Sequence, residues 1–383
     1  MNERWRWRGQ VALLAVCLAF VIYPVLPNED VINSDWPAFA TGAQIIVADP
    51  QHMYDLHVQE RYQRFITGGR TLVTPGIEGI LPFLAPPWVA LLAVPFDVFG
   101  TDLGGRLWVL FGLACLGCGL YLATGPPHSR GGGAQRRWGL PSAVLPAFAS
   151  VPTAVMMLNA QLDGIVALGI GAAVALRSRP YLAGLALGLT LMKPQLVLPL
   201  GVAVVLARRW TLLAGWATAG VALLAPTLFL NPSWIAQWLA QTRATVAPIS
   251  REVDLPHFGV LLPGPLQSIG VAALTVIAIV IVIALAWRRR DDFAASAAVL
   301  VAGGVLAAPH ALPADLVLVA MALAVWGRAQ WFDWLALSLG AVVCATTVAP
   351  VPAIVGVLVI GWVCLRASGV TSRSPAPAPA WTR

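Results

Sequence analysis

The chain has 383 residues, of which 58% are hydrophobic and only 11% charged, with a mean hydropathy of +0.78. Those proportions exclude a water-soluble globular protein and predict an all-α polytopic membrane protein, because in lipid the backbone must satisfy its hydrogen bonds within helices. The excess of 24 Lys+Arg over 17 Asp+Glu would suggest a nucleic-acid partner in a soluble chain. Here the basic residues punctuate apolar runs, no domain-sized soluble segment remains to bind nucleic acid, and the charges act as topology signals held on the cytoplasmic side.

Arg4, Arg6 and Arg8 precede an apolar run from Val11 to Leu26 with no small-residue cleavage site behind it, so this run reads as a first membrane helix with a cytoplasmic N-terminus. Residues 28–80 form a polar first loop holding Asp30, Asp35, Asp49, Asp55, Glu60, His52 and His57. Within it, Phe39, Ala43, Ile46 and Val47 recur at helical spacing after Pro37, and Val58, Tyr62 and Phe65 recur after a second start at Asp49-Pro50. The pattern predicts two amphipathic helices lying on the membrane surface.

Further apolar segments cover roughly 81–99, 105–123, 140–157, 161–176, 181–193, 194–207, 210–230, 268–287, 293–308, 312–327, 332–348 and 353–366. Several are short for a hydrocarbon layer about 30 Å thick, which predicts helical hairpins around a polar cavity. Arg130, Arg136, Arg137, Arg177, Arg179, Arg208, Arg209, Arg288 to Arg290, Arg328 and Arg366 mark cytoplasmic junctions. The opposite face then holds residues 28–80, the tips at Asn159 and Lys193, the loop from Asn231 to Pro265, the turn at His310, and Val348 to Pro352. Two apolar segments separate the outside loop from the inside Arg136, so one of the two, with the proline-bearing stretch Leu81 to Val98 favoured, is expected to be re-entrant or partly inserted, leaving about 12 complete passes; the alternative is that Arg130 to Arg137 break the charge rule. A single transmembrane domain of residues 1–366 is expected, with 367–383, rich in Pro, Ala and Ser, as a disordered cytoplasmic tail. Cys17, Cys115, Cys118, Cys344 and Cys364 lie in apolar runs and read as packing residues, and the CxxC at 115–118 lacks the second pair a zinc site needs.

Polar side chains are expensive in hydrocarbon, so their gathering at one set of segment ends is informative. Asp35, ahead of Trp36-Pro37, is a good helix N-cap, yet the same position sets a carboxylate at the lip of the membrane. Lys193, followed by Pro194 and Gln195, reads either as a snorkelling cation or as a contact for a lipid phosphate. Asn159-Ala160-Gln161 with Asp163, and Pro309-His310 with Asp315, form two more polar tips whose plainer reading is a hydrophilic turn and a structural histidine.

The order Ser34-Asp35-Trp36, Gly42, Asp49, Tyr54-Asp55, Pro82-Phe83, Pro86-Pro87, Asn159 to Gln161, Lys193-Pro194-Gln195 and Pro309-His310 with Asp315 resembles the polyprenol-phosphate-mannose-dependent α-mannosyltransferases of glycosyltransferase family 87, over about residues 11–366. The resemblance implies a GT-C architecture with its active site on the extracytoplasmic face of the cell membrane. It implies Asp35 as general base, and Lys193, Gln195, His310, Gln161, Trp36 and Tyr54 as substrate-binding residues. The chain departs from the pattern at Ala160, where relatives commonly carry Gly, and at Ala85 and Ala314, where they commonly carry Tyr. A donor of this class carries its own phosphate leaving group, so no cofactor and no metal is expected; the partners expected are a polyprenyl-phosphate-mannose donor, a glycolipid or glycan acceptor, and membrane lipids. Asp35 would take the proton of the attacking hydroxyl, and attack opposite the phosphate would give an α-linked product. The rival readings are a transporter or flippase of a glycolipid, which would set its polar groups near the midplane in repeated halves, a GT-C enzyme using another polyprenyl-phosphate sugar such as arabinose, and a non-catalytic scaffold.

Overall fold

The computed structural model describes residues 31–70, 79–125, 143–249 and 266–370, with isolated residues at 12, 15, 19, 257, 258 and 262. The expected first membrane helix lies, but for three of its positions, outside the described residues, as do the Arg130 to Arg137 loop and the tail beyond 370. The described residues are all-helical. Helices α1 (Trp36–Ala48), α2 (Leu56–Ile66), α3 (Pro87–Asp97) and α4 (Thr101–Thr124) are followed by α5 (Val144–Phe148), α6 (Val151–Leu158), α7 (Asp163–Ala175) and α8 (Pro180–Leu187). Two 3-10 turns flank Lys193 before α9 (Leu198–Leu206), α10 (Trp210–Leu230), α11 (Trp234–Ile249), α12 (Gln267–Trp287) and α13 (Phe293–Ala307). A third 3-10 turn, Pro313–Asp315, leads into α14 (Leu316–Trp326), α15 (Trp331–Thr346) and α16 (Val351–Ser368).

Four helices, α4, α10, α12 and α16, are long and apolar enough to cross a membrane. The centre of the bundle is α14, in which every residue from Leu316 to Trp326 is buried. A helix apolar on all sides finds that environment only inside a bundle or in lipid, and at about 1.5 Å per residue its eleven residues are too short to span the bilayer. It packs against α13, α15 and α16. Glycines set the closest approach: Gly112 and Gly119 of α4 face Gly164 and Gly171 of α7, and a Cβ on any of Gly119, Gly164 or Gly171 would strike a backbone carbonyl of the other helix. The matching seven-residue steps mean that α4 and α7 run in the same direction, joined by small-residue contact of the kind that replaces the hydrophobic effect within lipid.

Several expectations need correction. Helix α1 is not a surface amphipath: ten of its thirteen residues are buried, Trp36 to Ala43 among them, because α3 covers one side and α2 another. Helix α2 begins at Leu56, not Asp49; Pro50–His52 is a separate 3-10 turn. Its buried face is Val58, Gln59, Gln63 and Ile66, while Phe65 points outward at 81% exposure. The stretch from Asn231 contains helix α11, unforeseen because Gln237, Gln241 and Arg243 interrupt its apolar residues. Helix α16 runs two residues past the expected limit at 366. Within the stretch Leu81 to Val98, α3 spans only Pro87–Asp97. Its first turn is tied to Leu191, two residues from Lys193, through the Trp88 indole (3.0 Å), and its last to α1 through Gln44 and Asp97 (3.2 Å).

Candidate active site

The polar tips meet at one end of the bundle. Asp35 occupies the N-cap position of α1, with backbone angles of φ −76° and ψ −3° and no side-chain cap. The N-cap geometry of an extended residue bonded to its own helix is thus absent. The Asp35 backbone N–H donates to Asn159 O (3.2 Å), and its Oδ2 accepts the side-chain amide of Gln161. Among the described residues Oδ1 accepts no hydrogen bond, and the residue is half-buried. Dense packing around the carboxyl raises its pKa to about 7, the nearby Lys193 ammonium pulling the other way and the Asp315 carboxylate adding to the rise.

The tip that presents Gln161 is an unusual turn. Ala160 has φ of 51°, in the left-handed region where a Cβ is penalised and glycine is not, which gives a physical reason for the glycine of the family pattern. Ala160 N–H donates to Met157 O and Gln161 N–H to Met156 O, so the turn closes on the last turn of α6. The Trp108 indole on α4 donates to Ala160 O at 2.9 Å.

Lys193 does not snorkel. It is 8% exposed and held between two buried carboxylates, Asp163 Oδ2 at 2.9 Å and Asp315 Oδ1 at 2.5 Å. Asp315 Oδ2 also accepts the Leu312 N–H at 2.6 Å, which folds the 3-10 turn around it. Burying an ammonium demands this pairing, because an unpaired charge away from water costs several kcal/mol. With its ammonium already engaged by two acids, the triad has no net positive charge to offer a phosphate. Asp163 and Asp315 belong to the site although neither was assigned a role from sequence; the signal was there, since a lysine within an apolar run needs a counter-ion and these are acids at neighbouring segment ends.

His310 sits beside the triad in the turn after α13. Burial holds its imidazole below the ordinary value, with Asp315 opposing and Lys193 reinforcing the shift, and its Nδ1 is buried without a hydrogen-bond partner among the described residues, as is Asp163 Oδ1. His257, a residue the sequence did not single out, is buried within electrostatic reach of His310 and Asp315, and burial pushes it down to about 3. Gln195 is half-buried in the 3-10 turn after Lys193, its amide making no hydrogen bond among the described residues. Trp36 and Tyr54, also expected to contact substrate, have their polar atoms engaged within the protein. Trp36 is fully buried with its indole on Thr101 O (2.8 Å), and Tyr54 is 5% exposed with its hydroxyl on Ala85 O (2.8 Å).

Tyr54 belongs to a set of side chains that stand in for a neighbouring strand along the extended segment 81–85. Gln63 pairs with Leu81 N–H and O, Gln59 with Phe83 N–H and O, the Trp238 indole with Leu84 O, and Tyr54 with Ala85 O. This satisfies the backbone of a buried non-helical stretch, which is tolerated at membrane depth only when protein supplies the partners. A cavity of about 490 Å³ at the opposite end of the same helices, lined by Arg177, Asp292 and Arg328, is remote from this site. At that end Arg328 pairs with Asp292 (2.7 Å), and Arg366 pairs with the buried Asp333 (3.2 Å).

An all-helical bundle with four helices long and apolar enough to cross a membrane, and with buried ionisable residues gathered at one end, has the makeup of a membrane protein. The chain belongs to glycosyltransferase family 87, whose family model matches residues 83–313, more than half of its length. It is therefore a membrane glycosyltransferase. The matched range includes Gln161, Asp163, Lys193, Gln195 and His310; Asp315 falls just beyond its end, and Asp35 lies well ahead of its start. No curated protein and no solved structure gives a match.

Proposed function

We propose that the protein transfers mannose from a polyprenyl-phosphate-mannose donor to a lipid-linked or cell-envelope glycan acceptor, with Asp35 as general base and inversion to an α-linkage. The observation that carries the proposal is the state of Asp35: a half-buried carboxylate fixed through one oxygen by Gln161, whose other oxygen, like the nearby His310 Nδ1, has no hydrogen-bond partner among the described residues. An acceptor hydroxyl placed at Oδ1 loses its proton to Asp35 as its oxygen bonds to the anomeric carbon; the carbon–oxygen bond to phosphate breaks, and polyprenyl phosphate leaves with the electron pair. The donor brings its own leaving group, so the reading includes no metal and no cofactor. A base whose pKa lies near working pH suits this duty.

Lys193 takes a different part from the phosphate contact that its position in sequence suggests. Its ammonium is engaged by Asp163 and Asp315, and its field favours the ionised form of Asp35. Among the described residues, His310 Nδ1 and the Gln195 amide have hydrogen-bonding capacity left for substrate. The arginine-bearing helix ends lie away from this site, which supports a multi-pass chain of about 12 membrane helices with the site extracytoplasmic and both termini cytoplasmic. The domain limits at 1–366 and the cytoplasmic tail belong to the same reading.

The test is transfer of radiolabelled mannose from polyprenyl phosphate mannose to an envelope lipid extract by the purified protein in detergent. Asp35→Asn is expected to lower the rate by about 10²- to 10⁴-fold, the range of a general base. Transfer by the wild type from polyprenyl phosphate arabinose but not mannose moves the donor assignment. No transfer from either, with transbilayer movement of glycolipid in vesicles, replaces the enzyme with a carrier.

A further inference from the structure

The catalytic carboxylate and its amide partner come from distant parts of the chain, and one side chain touches the supports of both. Trp108, in the second turn of α4 and 2% exposed, packs in a tilted contact, 5.8 Å between ring centroids, on Trp36, the residue next to Asp35. Its ring also meets Phe39 and Phe96, each at 5.3 Å between centroids. On its polar edge the indole N–H donates to Ala160 O, within the left-handed turn between Asn159, which accepts from Asp35 N–H, and Gln161, which donates to the Asp35 carboxylate. Glycines make the room: a Cβ on Gly105 would strike Val31 and the Trp36 ring. Ala160 carries a Cβ in a region that disfavours it, so the turn needs an external contact to keep its shape.

We infer that Trp108 is a positioning residue for the transfer reaction, its indole N–H holding the Asn159–Gln161 turn so that Gln161 meets Asp35 Oδ2 and leaves Oδ1 aimed at the acceptor. The inference rests on the reading of Asp35 as base. Trp108 touches no substrate in this account; it acts through Gln161, and a reacting group misplaced by about 1 Å can cost on the order of 100-fold in rate.

Trp108→Phe keeps an aromatic ring against Trp36, Phe39 and Phe96 and removes the donor. With polyprenyl phosphate [14C]mannose and the envelope lipid extract, the expected result is a kcat lowered by roughly 10- to 100-fold with the donor KM within about twofold. In the double variant with Gln161→Ala, the loss should be no greater than for Gln161→Ala alone, because the two act in series. Replacement of Trp108 by β-(3-benzothienyl)alanine, which exchanges only the N–H for sulfur, should reproduce the kcat loss and keeps the test decisive if the Phe variant does not fold. A wild-type kcat in either folded variant overturns the inference, and so does a loss that multiplies with that of Gln161→Ala, which would mark Trp108 as packing alone. Asp35→Asn run beside them separates the two claims. If it transfers at the wild-type rate, the base assignment fails whatever Trp108 does; if it is inactive while Trp108→Phe is normal, only the positioning role falls.

Discussion

Replacing Lys193 by Met keeps the length of the side chain and deletes its charge, leaving Asp163 and Asp315 facing each other with no cation. Both carboxylates are at most 2% exposed, so water does not take over the role of the ammonium. Breaking a buried ion pair from one side costs about 3–5 kcal/mol, against a typical total stability of about 5–15 kcal/mol. The variant should therefore unfold several degrees below the wild type in detergent, followed by tryptophan fluorescence at pH 7.5. Adding Asp163→Asn and Asp315→Asn to the same chain removes every charge from the triad, and an amide at 315 still accepts the Leu312 N–H seen at 2.6 Å. Neutral replacement of a buried triad is often neutral or stabilising, so the triple variant should recover most of the loss while remaining slow in transfer, because Lys193, whose effect on Asp35 exceeds the opposing one of Asp315, no longer favours the ionised base. A Lys193→Met chain within about 0.5 kcal/mol of the wild type, or a triple variant no more stable than the single one, would refute the account of Lys193 as a buried cation that exists for its two acids.

Asp35 has a folded pKa of about 7, above the ordinary carboxyl value, so the base is active only above it, and kcat/KM should rise through an acid limb near pH 7 and level off beyond; a limb near pH 4 would show that the carboxylate is not buried in the working enzyme. The same raised pKa means that folding is penalised as pH rises toward 7, where the buried carboxyl must ionise. Asp35→Asn should then be more thermostable than the wild type at pH 8 while losing activity, and the stability difference should vanish below about pH 4, where both side chains are neutral; an equal difference at both pH values would contradict this. Gly119→Ala sets a methyl against the Ala167 carbonyl of the facing helix and should cost about 1–3 kcal/mol in thermal unfolding, unlike Gly361→Ala, whose Cβ meets nothing. Ala160→Gly removes the penalty of a Cβ at φ 51°, worth about 1–2 kcal/mol, against an entropic cost of about 0.4–1 kcal/mol; the net gain of about 0–1.6 kcal/mol is measurable as a small rise in unfolding temperature.

Much of the architecture is written in local pattern. Apolar runs bounded by Arg, Pro and Gly mark helices such as Trp210–Leu230 and Phe293–Ala307 to within a few residues, because a backbone in lipid has little alternative to the helix. The polar tips at Asp35, Gln161, Lys193 and His310 are legible for the same reason: an ionisable group in so apolar a chain needs a cause. Helix α11 escaped because its stripe is narrow and its polar residues are many, so periodicity alone left it as loop.

What the sequence determined by itself is the class of the protein and the segment ends at which its polar side chains gather. What only the tertiary structure decided is which partner each polar group takes and which apolar helix faces lipid. Hydropathy cannot rank α14, buried on every side, against α12, whose spanning window is 17% buried, because lipid tails and a protein interior present equally apolar surroundings. Nor can it tell a lysine offered to a phosphate from one locked between two carboxylates 30 and 122 residues away along the chain; the field at the ammonium depends on distances of a few ångströms that the chain sets only when α7, the Lys193 tip and the turn at Asp315 close on one another.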